Sequence, residues 1–348
     1  MTSHRATPFL LLDVPLATAN IDAMARWAAE RGLALRPHAK THKCAQLGRL
    51  QVDAGAAGLT VATVSEAEVL AGAGFGDLFI AYPLWVDAAK GSRLRILAEH
   101  ASVAVGVDSA QGARALASQV PGCAVLVEVD SGHHRSGVPP KDAGAVAEGA
   151  ARAGLDVRGV FTFPGHSYAP AAAAQVADQE SSALRTAVSA LHRHGIEARV
   201  VSGGSTPSVA DADADVLTEV RPGVYVFNDA QQWELGTTTR EGIALSCVST
   251  VVSRSDRRVV LDAGSKVLGA DRAGYATGYG RLLDHPDARV VSLSEHHAVV
   301  SWDFSPVPEL GTRLRVVPNH VCSAVNLADE LVLSGGRTWP VIARGANT

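Results

Sequence analysis

From about residue 30 to residue 235, short apolar runs rich in β-branched residues alternate with Ala-rich segments of helical period. Eight runs read as strands: 34–40, 58–63, 77–83, 102–108, 123–130, 157–165, 197–204 and 216–223. Helical windows lie between them, opening on capping residues and stopping at glycine. "NIDAMARWAAERG" opens on Asn20 and stops at Gly32, and Ser65 with Glu68 three residues on has capping-box spacing. Alternating strand and helix with short connections predict right-handed βαβ units and a parallel sheet. Eight such units predict a (β/α)8 barrel of the TIM type, with an open doubly wound sheet as the alternative. After residue 238 the pattern turns to alternating or continuous β-branched runs with no convincing helix. The expected organisation is a barrel over 14–238 and an all-β domain over 239–348. The apolar strand at 7–13 is expected to join the β-domain's sheet.

Composition narrows the classes. The 348 residues are 47% hydrophobic and 19% charged with a net charge of −4, which suits a globular protein with a large core. That balance offers no electrostatic reason for nucleic acid or a membrane as partner. No apolar run reaches the roughly 20 residues of a membrane span. The N-terminal apolar run is broken by Asp13 and reads as a strand, not a secretory signal. The four cysteines are far apart, so free thiols in a cytoplasmic protein are expected. Cys44, Cys123 and Cys247 read as core residues.

A parallel barrel carries its chemistry at the C-terminal ends of its strands. Reactive residue types gather at those ends here. "RPHAKTHK" follows the first strand with His38, Lys40 and Lys43. "DSGHHRSG" follows the fifth with Asp130, His133, His134 and Arg135. "PGHSY" follows the sixth with His166 and Tyr168, and "SGGSTPS" follows the seventh. Most lysines at a strand end send their heads to solvent, and Lys43, past the strand, reads that way. A desolvated Lys40 can instead form a Schiff base with a carbonyl. The glycines and hydroxyls of "SGGSTPS" suit an anion, although such a loop is also an ordinary βα turn. An amine facing an anion site suits pyridoxal phosphate.

The set "RPHAKTHK", "DSGHHRSG", "GHSY", "SGGSTPS" and "VVPNHVCSAVNLADE" resembles the fold-type III pyridoxal-phosphate enzymes related to the alanine racemase N-terminal domain. Within them it most resembles the D-serine dehydratase and D-threonine aldolase group, over nearly the whole chain. The resemblance implies that Lys40 carries the cofactor, with His38, Arg135 and Tyr168 around it. It implies that Ser202, Gly203, Gly204 and Ser205 hold the phosphate. It also implies a homodimer with active sites at its interface.

"PNHVC" sets His320 and Cys322 two apart after a β run, on one face if the strand continues. Imidazole and thiolate suit zinc, although an isolated pair of this kind is more often a buried cysteine beside an incidental histidine. In the resembled group the dehydratases show His-x-Cys with zinc here, and the aldolases tend toward His-x-Asp with a harder metal. The expected activity is therefore a zinc- and pyridoxal-phosphate-dependent lyase converting a β-hydroxy D-amino acid to a 2-oxo acid and ammonia. Retro-aldol cleavage to glycine and an aldehyde is the alternative. A racemase lacks an assigned second acid/base, and the small non-catalytic carriers of this fold lack the C-terminal domain.

Overall fold

The computed structural model describes residues 5–348, which form two compact units. One comprises residues 24–40, 51–223 and 346–348, and the other 5–23, 41–50 and 224–345. Strand β1 (Phe9–Leu12) belongs to the latter, and the next eight strands belong to the former. These are β2 (Ala34–Leu35), β3 (Leu59–Val61), β4 (Asp77–Pro83), β5 (Ser102–Val107), β6 (Ala124–Glu128), β7 (Asp156–Phe161), β8 (Val200–Gly203) and β9 (Glu219–Val220). All pair in parallel, in the order β2-β9-β8-β7-β6-β5-β4-β3. A parallel bridge between His38 and Thr60 joins the two ends of that order, supported by the Thr60 N–H donating to the Pro37 carbonyl at 2.8 Å. The sheet is thus a TIM-type barrel, as the alternation predicts, and not an open sheet.

Parallel strands covered on both faces become continuous apolar runs, and every residue of β6 is buried. Phe79, Ala104, Ala124, Leu126 and Phe161 form one core cluster. Phe79 and Phe161 meet edge to face with centroids 5.1 Å apart, each burial contributing roughly 1.5–3 kcal/mol. A Cβ on Gly106 would stand 2.7 Å from the Phe161 ring, so glycine is needed there.

Two helix starts differ from expectation. The helix expected at Asn20 runs Val14–Glu30, and Asn20 sits inside it, donating its side-chain amide to the carbonyls of Val226 and Gly242. The helix Val64–Gly72 is capped by Thr63, not Ser65. Thr63 Oγ1 accepts the Glu66 N–H at 3.1 Å, and Glu66 reaches back to accept the Ala62 N–H at 2.7 Å. The reciprocal pair is two residues earlier than the Ser65–Glu68 spacing because Thr63 has the extended backbone of a cap while Ser65 is already helical.

In the other unit, β1 joins β10 (Leu245–Ser255), β11 (Arg258–Leu261), β12 (Gly280–Leu282), β13 (Arg289–Leu293), β14 (Ala298–Ser301), β15 (Arg313–Pro318), β16 (Glu330–Leu333) and β17 (Thr338–Pro340) in one sheet. Six of these close on themselves as an antiparallel barrel, β10-β11-β14-β13-β12-β15. β1 pairs antiparallel with β10 and parallel with β16. The C-terminal region is not free of helix: Ser265–Leu268 and Val321–Leu327 are helical. The second begins where it does because the buried Asp229 carboxylate accepts the Val321 N–H at 3.1 Å. No helix of the described residues is long and apolar enough to cross a membrane.

Gly159 holds φ at +148°, and a Cβ there would stand 2.0 Å from the Val200 carbonyl oxygen across the β7–β8 pair. Gly159→Ala is expected to destabilise the protein by at least about 2 kcal/mol, read as a lowered denaturant midpoint.

Candidate active site

Lys40 lies in the 3-10 turn Ala39–Thr41 that follows the closing bridge at His38. The Lys40 N–H approaches His38 Nδ1 at 3.5 Å. Its Nζ lies 5.8 Å from the centroid of Phe163, and the Arg135 guanidinium lies 5.0 Å from the same ring. Tyr168 has its centroid 6.5 Å from Phe163, and His133 meets it edge-on at 5.6 Å. Phe163 is therefore the hub on which Lys40, Arg135, Tyr168 and His133 converge. Sequence reading missed it, although one signal existed: Phe163 is two residues past the inward-facing Phe161 and so continues the same face.

The loops after β6 and β7 interlock around that hub. A Cβ on Gly165 would stand 2.6 Å from His133 Nε2, and one on Gly132 would stand 3.0 Å from His166 Nε2. Each motif's histidine thus covers the other motif's glycine. Desolvation, with Arg135 and His166 nearby, lowers the His133 pKa. His166 bonds Gln179 at 2.9 Å. His134 turns away to pair with Asp130 at 2.7 Å. Glu128, at the end of β6, keeps Oε2 buried with no hydrogen-bond partner among the described residues, while Oε1 accepts from Ser136 at 3.0 Å. It lines one recess with Asp130, His133, Arg135 and Phe163.

The "SGGSTPS" loop divides its groups. Ser202 is fully buried, donating to Glu219 Oε1 at 2.6 Å and accepting from Arg221 at 2.5 Å. The Gly204 N–H donates to Glu180 at 2.8 Å, and a Cβ on Gly203 would meet that same carboxylate at 2.3 Å. Ser205 instead bonds Ser167 at 2.7 Å and Ser208 at 2.9 Å. Three hydroxyls bring three protons, and among the described residues these two contacts use two of them. One proton is left to donate to an anion. The structure thus brings Ser205 together with Ser167 and Ser208, and turns Ser202 and Gly204 to other partners. An amine, a guanidinium, a phenol and this hydroxyl trio fit an anionic aromatic aldehyde such as pyridoxal phosphate.

His320 and Cys322 are not on a strand. β15 ends at Pro318, His320 is the N-cap of the helix Val321–Leu327, and Cys322 lies in its first turn. Cys322 nevertheless lies near enough to His320 to act on its charge. Burial disfavours charge on His320, but the Cys322 sulfur and the carboxylates of Asp271 and Asp229 outweigh it and push its pKa up to about 11. His320 Nδ1 bonds Asp271 Oδ2 at 3.0 Å, and Ser323 donates to the same oxygen at 2.7 Å. A carboxylate behind an imidazole fixes the ring as metal sites require, and thiol with imidazole suits zinc. Asp271, 49 positions upstream of His320, left no signal in the sequence. Among the described residues no group of three or more His, Cys, Asp or Glu side chains stands ready to hold a metal. Glu295, His296 and His297 lie between β13 and β14, Glu295 paired with Lys266.

A closed parallel barrel with a lysine just past its first strand, in a chain that also builds an antiparallel barrel, defines the fold-type III class of pyridoxal-phosphate enzymes. Residues 13–231 match the family described as alanine racemase, N-terminal domain, and residues 244–334 match the putative serine dehydratase domain. The chain belongs to this alanine racemase N-terminal-domain family. D-threonine aldolase from Arthrobacter sp is 34% identical over 361 residues, covering 97% of this chain and 93% of that protein. D-threo-3-hydroxyaspartate dehydratase from Delftia sp. (strain HT23) is 32% identical over 350 residues, covering 90% and 92%. The crystal structure of D-threonine aldolase from Filomicrobium marinum matches with a TM-score of 0.91 at 32% identity, covering 99% of this chain and 97% of that one.

Glu180 is fully enclosed; desolvation, opposed by the Gly204 N–H and Arg221, pushes its pKa up from 4.5 to about 7. Folded Glu180 therefore binds its proton more tightly than unfolded Glu180. The associated stability is present below pH 4.5 and is lost as pH rises to about 7. Glu180→Gln is expected to gain up to about 3 kcal/mol over the parent above that range and nothing below it, read by thermal unfolding across pH.

Proposed function

We propose that this protein is a pyridoxal-phosphate- and zinc-dependent lyase that dehydrates a β-hydroxy D-amino acid to a 2-oxo acid and ammonia, in the manner of D-serine dehydratase. The convergence of Lys40, Arg135 and Tyr168 on Phe163 carries the cofactor part of this reading. Bound pyridoxal phosphate supplies an electron sink for the pair left at the substrate's Cα. Lys40 would hold the cofactor, and its amine, when free, would take the α-proton as general base. The Phe163 face stabilises the ammonium that results. Arg135 would counter negative charge near the ring, and Ser205 with Ser167 and Ser208 would anchor the phosphate. His320 and Cys322 would hold zinc, which would supply Lewis-acid chemistry at the β-hydroxyl. The product's enamine nitrogen leaves as ammonia on addition of water, so the net change is amino acid to 2-oxo acid plus ammonia.

Cys322 favours dehydration, since sulfur selects a softer metal than a carboxylate does. The likeness to two D-threonine aldolases favours the second reading, cleavage of Cα–Cβ to glycine and an aldehyde. The cofactor and site residues are common to both.

Incubation with D-serine, D-threonine and the 3-hydroxy-D-aspartate isomers, with and without chelator, separates the two. The expected products are a 2-oxo acid and ammonia, lost on chelation and restored by zinc. Glycine with an aldehyde would establish the second reading instead, and full activity after thorough metal removal would remove zinc from it. Lys40→Ala is expected to lose the visible absorbance of the lysine-bound cofactor and at least ~10²-fold in kcat.

A further inference from the structure

The segment after Lys40 is clasped to the helix Val321–Leu327 at two points. The Cys322 thiol donates to Thr41 Oγ1 at 3.3 Å, and Lys43 Nζ donates to Asn326 Oδ1 at 2.7 Å. Cys322 and Asn326 are four residues apart and so share one face of that helix. Thr41 and Lys43 are two apart and both are buried, at 0% and 4% exposure. Lys43 is no solvated lysine. It holds φ at +47°, rare for a residue with a side chain, and its carbonyl accepts the Ala343 N–H at 3.4 Å.

We propose that Thr41 is a positioning residue for the metal-binding sulfur of Cys322, with the Lys43–Asn326 bond holding the sulfur's helix in register. This rests on the zinc reading of His320 and Cys322. A threonine hydroxyl can accept or donate. A protonated sulfur donates to it. A sulfur that has given up its proton to bind a metal can only accept, and Thr41 already stands within reach to donate. Asp271, itself held by the Ser323 hydroxyl, bonds the His320 ring. Each of the two metal donors therefore has its own fixed partner. Outer partners of this kind change metal affinity by roughly 10- to 100-fold.

The test measures zinc affinity of the cofactor-loaded protein by competition with a chromophoric chelator, alongside the sulfur-to-metal charge-transfer band after cobalt(II) substitution. Thr41→Val is expected to weaken zinc about 10-fold and to shift the cobalt band, while Thr41→Ser restores both. The cofactor's visible absorbance should not change in either variant. Lys43→Met is expected to weaken zinc to a similar degree with the far-ultraviolet circular dichroism unchanged. Wild-type affinity and an unmoved band in Thr41→Val would overturn the proposal alone. Wild-type zinc affinity in Cys322→Ala would overturn the metal reading and the proposal with it.

Discussion

A parallel sheet has two edges of unpaired backbone, and it sheds them only by closing. Here closure falls on five residues. The N–H groups of Ala34, Arg36 and His38 donate to the carbonyls of Thr218, Val220 and Pro222, while the carbonyls of Leu35 and Pro37 accept from Ala57 and Thr60. Alternate residues face opposite neighbours, so a short strand serves both sides at once. The chain can leave the sheet only after His38, and Lys40 emerges in the first turn beyond it. The lysine's place is a consequence of that ladder.

Below the rim the barrel carries charge, which an apolar interior tolerates only when paired. Arg36 spans Glu219 at 2.7 Å and Asp77 at 2.7 Å. Glu219 takes the Ser202 hydroxyl, Ser202 takes Arg221, and Arg221 donates onward to the Thr162 carbonyl at 2.5 Å. Arg221 also lies over Phe79 and Phe161, at 5.6 and 5.3 Å. This chain of partners explains why Ser202, which opens the Gly-Ser loop, serves the barrel's interior, while the Ser205 side chain, three residues on, bonds the hydroxyls of Ser167 and Ser208. It also makes Glu180 a support for the Gly203–Gly204 turn from beneath.

His320 and Cys322 show how a local rule can mislead about backbone conformation. Two-residue spacing suggested a strand face for His320 and Cys322. Asp229 instead draws the Val321 N–H into a helix start while capping Ala230–Glu234 with its other oxygen, through the Gln232 N–H at 2.9 Å. The two side chains lie near each other because His320 keeps extended backbone as the cap residue while Cys322 is already helical. The same kind of shift moved the cap from Ser65 to Thr63: residue types announced a cap, and backbone conformation chose its position.

The sequence by itself determined the alternation of strand and helix, the parallel barrel it builds, the change to antiparallel strands, and the rim segments that bear Lys40, Arg135 and Tyr168. These follow from period and punctuation, which act over a few residues. Tertiary structure decided what depends on distant partners. It chose Phe163 as the hub, gave Ser205 the company of Ser167, set Asp271 behind His320, and buried Lys43 against Asn326. Hydrogen bonds and ring contacts are satisfied in space, and nothing in a residue's own neighbours along the chain records which distant group will reach it.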